Sequence, residues 1–379
     1  MRGREPSQGS QAHEPKVART VSANLRLFAR AEERDATVAR ASQRVKGPYQ
    51  VEPSALQLLL GCAAMRKAIV FFLSALVLLM AGSAWIALYP TVPADLGGVE
   101  NLDAAAKQVR IEVGEGDHLD GWYLAGRLPA VVVLFAGYAR DHRRMWRYAG
   151  FMNRMGLHVL AVDFRSARPT SRKPTTLGFW ELRDGRAALD WVRAQPALRN
   201  ARLGLFGESL GGSTALALAA QRPDVDAVVA DCPFADSYAA IEDGFACVLH
   251  LPPQPLAWIA RQVGRLVTGH DPGELDVTGA LRALSGRPVL LIQTRLGDRF
   301  SAKQVDRLSA SLGIRGELWT LDDVKHTEAW LHHREEYERR VSRFLDAHLE
   351  LSSPGAKPAT RATKKPVVHP ASHAPRKAA

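Results

Sequence analysis

The chain has 379 residues, 46% hydrophobic and 23% charged, a balance that excludes a wholly disordered or fibrous protein and leaves room for one large domain or two average ones. Its net charge of +11 belongs to the ends: residues 68–351 hold 32 basic and 33 acidic side chains, so no nucleic-acid partner is expected. Three cysteines, Cys62, Cys232 and Cys247, are too few and too scattered for a disulfide framework or a Cys-rich zinc site, and no metal is expected.

Residues 1–64 are rich in Arg, Ala, Ser and Gln with little periodic apolar pattern, which predicts a flexible segment. Met65 opens a more orthodox export sequence than Met1, so translation from Met65 is a second expectation here. The 21 residues 68–88 carry no charge, enough for a helix across a hydrocarbon core of about 30 Å. Arg66 and Lys67 flank this run on one side, and no Lys or Arg follows Tyr89 until Lys107. That bias predicts a single-pass anchor over residues 65–89 with the N-terminus in the cytoplasm and the rest of the chain outside it. A secretory signal cleaved near Gly82-Ser83-Ala84 is the alternative, and it too exports the C-terminal part.

Residues 95–350 alternate short β-branched runs with helical patterns. Strands are expected at Val109–Val113, Leu119–Leu124, Val131–Ala136, His158–Phe164, Arg202–Phe206, Ala227–Ala230, Pro288–Ile292 and Glu317–Leu321. Several are apolar throughout, as suits strands buried on both faces of a mostly parallel sheet. Glu181–Gln195 brings Leu182, Ala188, Leu189 and Val192 near one side at helical spacing. The expected fold is an α/β, doubly wound, mostly parallel eight-stranded sheet preceded by one transmembrane helix, with ligands beyond the carboxyl ends of the strands. Residues 234–287 interrupt the alternation with Pro252, Pro253 and Pro255 and predict a short lid. Residues 351–379 are a Pro/Ala/Lys-rich basic stretch without the apolar surface to order itself.

After the run Arg202–Phe206 stands Gly207-Glu208-Ser209-Leu210-Gly211-Gly212, then the small-residue run Ser213–Gln221. A Gly-x-Ser-x-Gly turn between strand and helix exposes a serine hydroxyl at a strained corner. The hydroxyl is a poor nucleophile until a base takes its proton and an acid orients that base. His326, after the run ending at Leu321, is the candidate base. Asp298, after the run ending at Ile292, is the candidate acid, with Asp231 and Asp236 as substitutes. Asp322 and Asp323 are too near His326 in sequence to reach its far nitrogen. His332 and His333 read as surface residues, and His158, His250 and His270 lack the order or context. An oxyanion hole is expected from the backbone N–H of Leu210 and that of Tyr138, in the Ala136-Gly137-Tyr138-Ala139 turn.

With these pieces, LFGESLGGSTAL, VLLIQTRLGD, DVKHTEAW and the DFRSARPTS loop, the chain resembles the α/β-hydrolase superfamily over about residues 105–348. Within it, the chain is similar to exported or membrane-anchored serine hydrolases related to serine aminopeptidases and the BEM46-like group. The resemblance implies hydrolysis of a carboxylic ester, amide or thioester through an acyl-enzyme, on a small-molecule acyl substrate, without metal or organic cofactor. The family commonly has His-Gly where Ala136-Gly137 stands, glycines where Ser166 and Arg168 stand, and a proline after Asp298. An esterase or lipase-like activity leads, with a peptidase and a catalytically idle binding module as alternatives. A Cys232–Cys247 disulfide stays open, since spacing supplies no geometry.

Overall fold

The structure, a computed structural model, describes residues 63–93, 102–114, 116–168, 173–296 and 299–351. The expectations for residues 1–62 and 352–379 lie outside these. The chain divides into two units, Met1–Leu73 and Ser74–Ala379.

Helix α1 (Ala63–Leu88) is apolar along nearly its whole length. Its Met65–Leu88 stretch is 24 residues long with a mean hydropathy of 2.4, and none of its most apolar window is buried. Phe71, Phe72, Leu78 and Ile86 are each at least 70% exposed. The helix is long and apolar enough to cross a membrane.

The second unit contains an eight-stranded sheet: β1 (Lys107–Gly114), β2 (Asp117–Leu124), β3 (Ala130–Phe135), β4 (His158–Val162), β5 (Arg202–Glu208), β6 (Ala227–Asp231), β7 (Val289–Thr294) and β8 (Gly316–Leu321). All eight expected strands form. Their spatial order is β1-β2-β4-β3-β5-β6-β7-β8. The β1–β2 and β2–β4 pairs are antiparallel, and every other pair is parallel.

Side-chain alternation along a strand explains why the apolar runs are continuous. Val131, Val133 and Phe135 of β3 enter one core, Val132 and Leu134 the other, and β7 divides Val289 and Leu291 from Leu290 and Ile292 in the same way. Helices α2 (His142–Arg154), α3 (Phe179–Ala194) and α4 (Leu210–Gln221) cross between the early strands. Helix α3 buries Ala188, Leu189 and Val192, as its spacing predicts.

The insertion after β6 corrects the expected lid. It is helical, with α5 (Ser237–Asp243), a wide turn at Gly244–Val248, α6 (Pro253–Thr268) and α7 (Val277–Ala283). Helix α7 buries Val277 and Leu281 in the same core as Phe234 and Ala235. The ends of the 234–287 segment are therefore core, and the cap is only its middle. Helices α8 (Ala302–Ser311), α9 (Ala329–His332) and α10 (Arg334–Leu349) complete the layers.

A second correction concerns residue 95 as the start of the domain. Leu88 is 7% exposed, and its carbonyl accepts the Thr175 N–H at 2.8 Å, so the domain's contacts begin at the end of α1.

Candidate active site

Ser209 stands between the last residue of β5 and the first of α4 with φ 56° and ψ −117°. An L-residue takes this conformation only where the surroundings enforce it. The Ser209 N–H donates to the Asp231 carbonyl at 2.7 Å, and its own carbonyl accepts from the Ser213 N–H at 3.0 Å. A Cβ at Gly211 would lie 2.0 Å from the Phe135 carbonyl oxygen, so the start of α4 can press onto β3 only as glycine. This is the physical content of the Gly-x-Ser-x-Gly pattern.

His326, in the loop after β8, brings Nε2 to 3.0 Å from Ser209 Oγ. Phe300 meets the imidazole edge-on, with centroids 4.9 Å apart and the planes at 88°. The next residue, Thr327, has φ 60° and is tied down from below. The Arg144 guanidinium donates to its hydroxyl at 3.1 Å and to its carbonyl at 3.3 Å. The same guanidinium donates to the Glu208 carboxylate at 2.7 and 2.9 Å. Glu208, 2% exposed, immediately precedes the nucleophile. Burial raises its pKa, but the Arg144 charge and hydrogen bonds outweigh that and hold it below the usual carboxylate range. One buried ion pair thus braces both the nucleophile strand and the histidine loop. Sequence reasoning missed it; the only signal was an acid inside the elbow.

Asp298 lies outside the described residues, between Leu296 and the exposed Arg299. The two substitutes are otherwise engaged. Asp236 caps α5 by accepting the Ala239 N–H at 2.7 Å and pairs with Arg307 at 2.6 Å. Asp231 accepts the Tyr337 hydroxyl at 2.7 Å, and its other oxygen is buried without a partner. Asp322 is exposed, and Asp323 receives the His333 ring at 2.8 Å. His158 bonds the Tyr123 hydroxyl, and His270 stacks on Phe179. Cys232 is buried and carries no bridge to Cys247.

Burial, then the neighbouring Glu208 charge, pushes Asp231 up to about 6. A carboxyl whose folded pKa exceeds its unfolded value stabilises the fold below the unfolded pKa and loses that contribution as pH rises through the folded one. We therefore expect Asp231→Asn to be more stable than the parent at pH 8, by up to about 3 kcal/mol. The gain should vanish near pH 4, as thermal melts across that range would register, and activity should persist. Loss of activity with the fold intact would return Asp231 to the catalytic set.

The second half of the site is the turn after β3. Gly137 lies so close to the elbow that a Cβ there would be 3.3 Å from the Ser209 Cβ. Among the described residues, the Tyr138 and Leu210 N–H groups have no backbone acceptor. Ala136 is buried, and bracing comes instead from the helix that follows the turn. The His142 ring pairs with Asp163 at 2.9 Å and stacks on Trp122 with centroids 3.3 Å apart. In the loop that lacks the usual glycines, Arg165 reaches buried Asp184 at 2.8 Å. Arg168 replaces a glycine's freedom with bonds to Asp120 at 2.9 Å and the His118 carbonyl at 2.6 Å.

Among the described residues, two arginines stand by the site. Arg299 lines the cleft beside His326 with Cys232, Leu296 and Phe300. Arg140 follows the Ala136–Ala139 turn; burial and then the charge of Arg144 lower its pKa, with Arg299 adding to the effect. Among the described residues neither arginine is paired with a carboxylate, whereas Glu208, Asp163 and Asp184 all have partners.

Residues 87–340 match the X-Pro dipeptidyl-peptidase (S15) family. The chain belongs to this family. As an S15 member it is a hydrolase of the α/β-hydrolase type. An uncharacterised Mycobacterium tuberculosis protein is 31% identical over 228 residues, 59% of this chain and 73% of that protein. The uncharacterised protein YfhR of Escherichia coli is 28% identical over 145 residues, 36% of this chain and 50% of its own length. Among solved structures, an esterase of Pyrococcus furiosus superposes with a TM-score of 0.56 at 23% identity, covering 68% of this chain and 98% of its own. The α/β hydrolase GrgF of a Penicillium species gives 0.52 at 18% identity, covering 65% and 99%. At these identities the structural likeness concerns the fold.

Proposed function

We propose that this S15-family chain is a membrane-anchored serine hydrolase that cleaves a carboxylic ester, thioester or amide through an acyl-enzyme. The observation that carries the reading is the 3.0 Å contact between His326 Nε2 and Ser209 Oγ at a strained elbow. In this reading Ser209 Oγ attacks the carbonyl carbon while His326 takes its proton. The charge that develops on the carbonyl oxygen is met by the N–H groups of Leu210 and Tyr138. His326 then gives the proton to the departing alcohol, thiol or amine. Water repeats the sequence on the acyl-serine, releasing the acid and restoring Ser209. Asp298 holds the imidazole in the tautomer the cycle needs. No metal or organic cofactor is required. Helix α1 is the anchor, with the catalytic domain on the non-cytoplasmic side, a reading supported by its length, its apolar composition and the Arg66 and Lys67 that precede it.

An ester or thioester is favoured over a peptide with a free amino terminus. Binding an ammonium group calls for a carboxylate at the mouth, and among the described residues the charges there are Arg140 and Arg299. The family match favours the peptidase reading, so the two are set against each other directly. Fluorophosphonate should label Ser209 in membranes, and Ser209→Ala should abolish the label. A panel of acyl esters and X-Pro anilides should then show ester cleavage dominant. Cleavage of X-Pro anilides without esters would reverse the order, and folded protein that takes no label would leave the binding-module reading.

A further inference from the structure

We propose that the mouth of this active site is docked on the bilayer by α1 itself, and that the substrate is a membrane-partitioned acyl lipid taken from the leaflet in which α1 ends. The inference rests on the serine-hydrolase reading above and names its substrate class.

The last carbonyls of a helix have no partners within it and must find donors elsewhere. In α1 two of them find donors in the hydrolase domain. The Ala87 carbonyl accepts the Tyr138 hydroxyl at 2.7 Å, and the Leu88 carbonyl accepts the Thr175 N–H at 2.8 Å. Tyr138 belongs to the turn whose Gly137 lies against Ser209. Thr175 belongs to a rigid platform, because Glu181, 1% exposed, accepts the hydroxyls of Thr175 and Thr176 at 2.6 and 2.9 Å. The anchor therefore ends on the oxyanion turn, within one tyrosine side chain and one residue of the nucleophile.

The span fits the depth required. Its 24 residues extend about 36 Å, a little more than a hydrocarbon core of about 30 Å. Its end, where Trp85 and Tyr89 meet with centroids 4.5 Å apart and planes tilted by 32°, is then at the interface that such rings prefer.

The cap, the helical insertion after β6, bears further exposed apolar side chains. It is inserted after the carboxyl end of β6, the edge of the sheet at which Ser209 and His326 stand. Its far end is joined to the Thr175 platform by His270 stacked on Phe179, with centroids 3.5 Å apart. Between these points Leu249, Leu251 and Trp258 are 56%, 45% and 57% exposed. Exposed apolar side chains on this insertion, together with Arg140 and Arg299 near the site, suit a surface of acyl chains and anionic headgroups.

The test reconstitutes the full chain in vesicles containing phosphatidylglycerol. It compares hydrolysis of a fluorogenic long-chain acyl ester held in the bilayer with that of p-nitrophenyl acetate in buffer. The bilayer ester should be preferred in kcat/KM by at least about tenfold. Leu249→Ser/Leu251→Ser, and separately Trp258→Ser, should lose about tenfold on the bilayer ester while staying within twofold on the soluble one, with unchanged melting. A labelled Ser209 with the soluble ester preferred, or cap variants that leave bilayer hydrolysis intact, would overturn the proposal while sparing the serine-hydrolase reading. No label and no hydrolysis of either ester would remove that reading, and the proposal with it.

Discussion

Ser209→Ala is expected to lower kcat/KM for the ester the enzyme prefers by a factor on the order of 10⁴–10⁶, and His326→Ala to cost nearly as much. Each removes one end of the 3.0 Å contact through which, in the proposed mechanism, the proton leaves the hydroxyl. Without the imidazole the alcohol must attack as a neutral nucleophile, and without the alcohol the imidazole can only assist water. The double variant should be scarcely slower than either single one, because the two groups perform one step. Steady-state kinetics at matched concentrations of folded protein would measure all three. Additive losses would mean that Ser209 and His326 act independently, and the acyl-enzyme reading would then fail.

The second large effect is on stability. Arg144→Met should destabilise the fold by about 3–5 kcal/mol near neutral pH, because it leaves Glu208 buried and charged. Arg147 is close by, but its Nε and Nη1 make no hydrogen bonds. The folded pKa of Glu208 is depressed in the parent, so the pair contributes stability above the unfolded carboxyl pKa that is lost as pH falls through the folded one. The variant should thus differ most from the parent at pH 7–8 and less at low pH, where Glu208 is protonated. Arg144→Met/Glu208→Gln should recover most of the loss, since no buried charge is left uncompensated. Arg144 also holds Thr327, next to His326, so the rescued double variant should keep its stability but label Ser209 more slowly. Urea melts and labelling rates on the same samples separate the two consequences. A single variant within about 1 kcal/mol of the parent would show the pair to be energetically idle.

Much of this architecture was legible because its signals are local. A strand covered on both faces has no polar side to display, so runs such as Ala130–Phe135 announce a parallel sheet without reference to partners. The elbow is legible for a related reason: only glycine tolerates the 2.0 Å approach to β3, and that requirement is written into the motif. The order of serine and histidine along the chain followed from the fold those runs imply. The lid was misjudged at both ends because an apolar segment such as Val277–Ala283 has the same composition whether it covers a core or a cleft.

The sheet, the elbow and the apolar helix at 63–88 could be read from residue types alone, since each depends on a pattern within one turn, strand or helix. Where the buried polar groups find their partners is a property of the folded chain. Arg144 meets Glu208 across 64 residues, Asp231 turns to Tyr337 across 106, and the carbonyl of Ala87 finds Tyr138 across 51. Pairings of this kind leave no periodic trace. They are selected after the core has formed, when desolvation makes every buried polar group bond to whatever the fold has brought within reach.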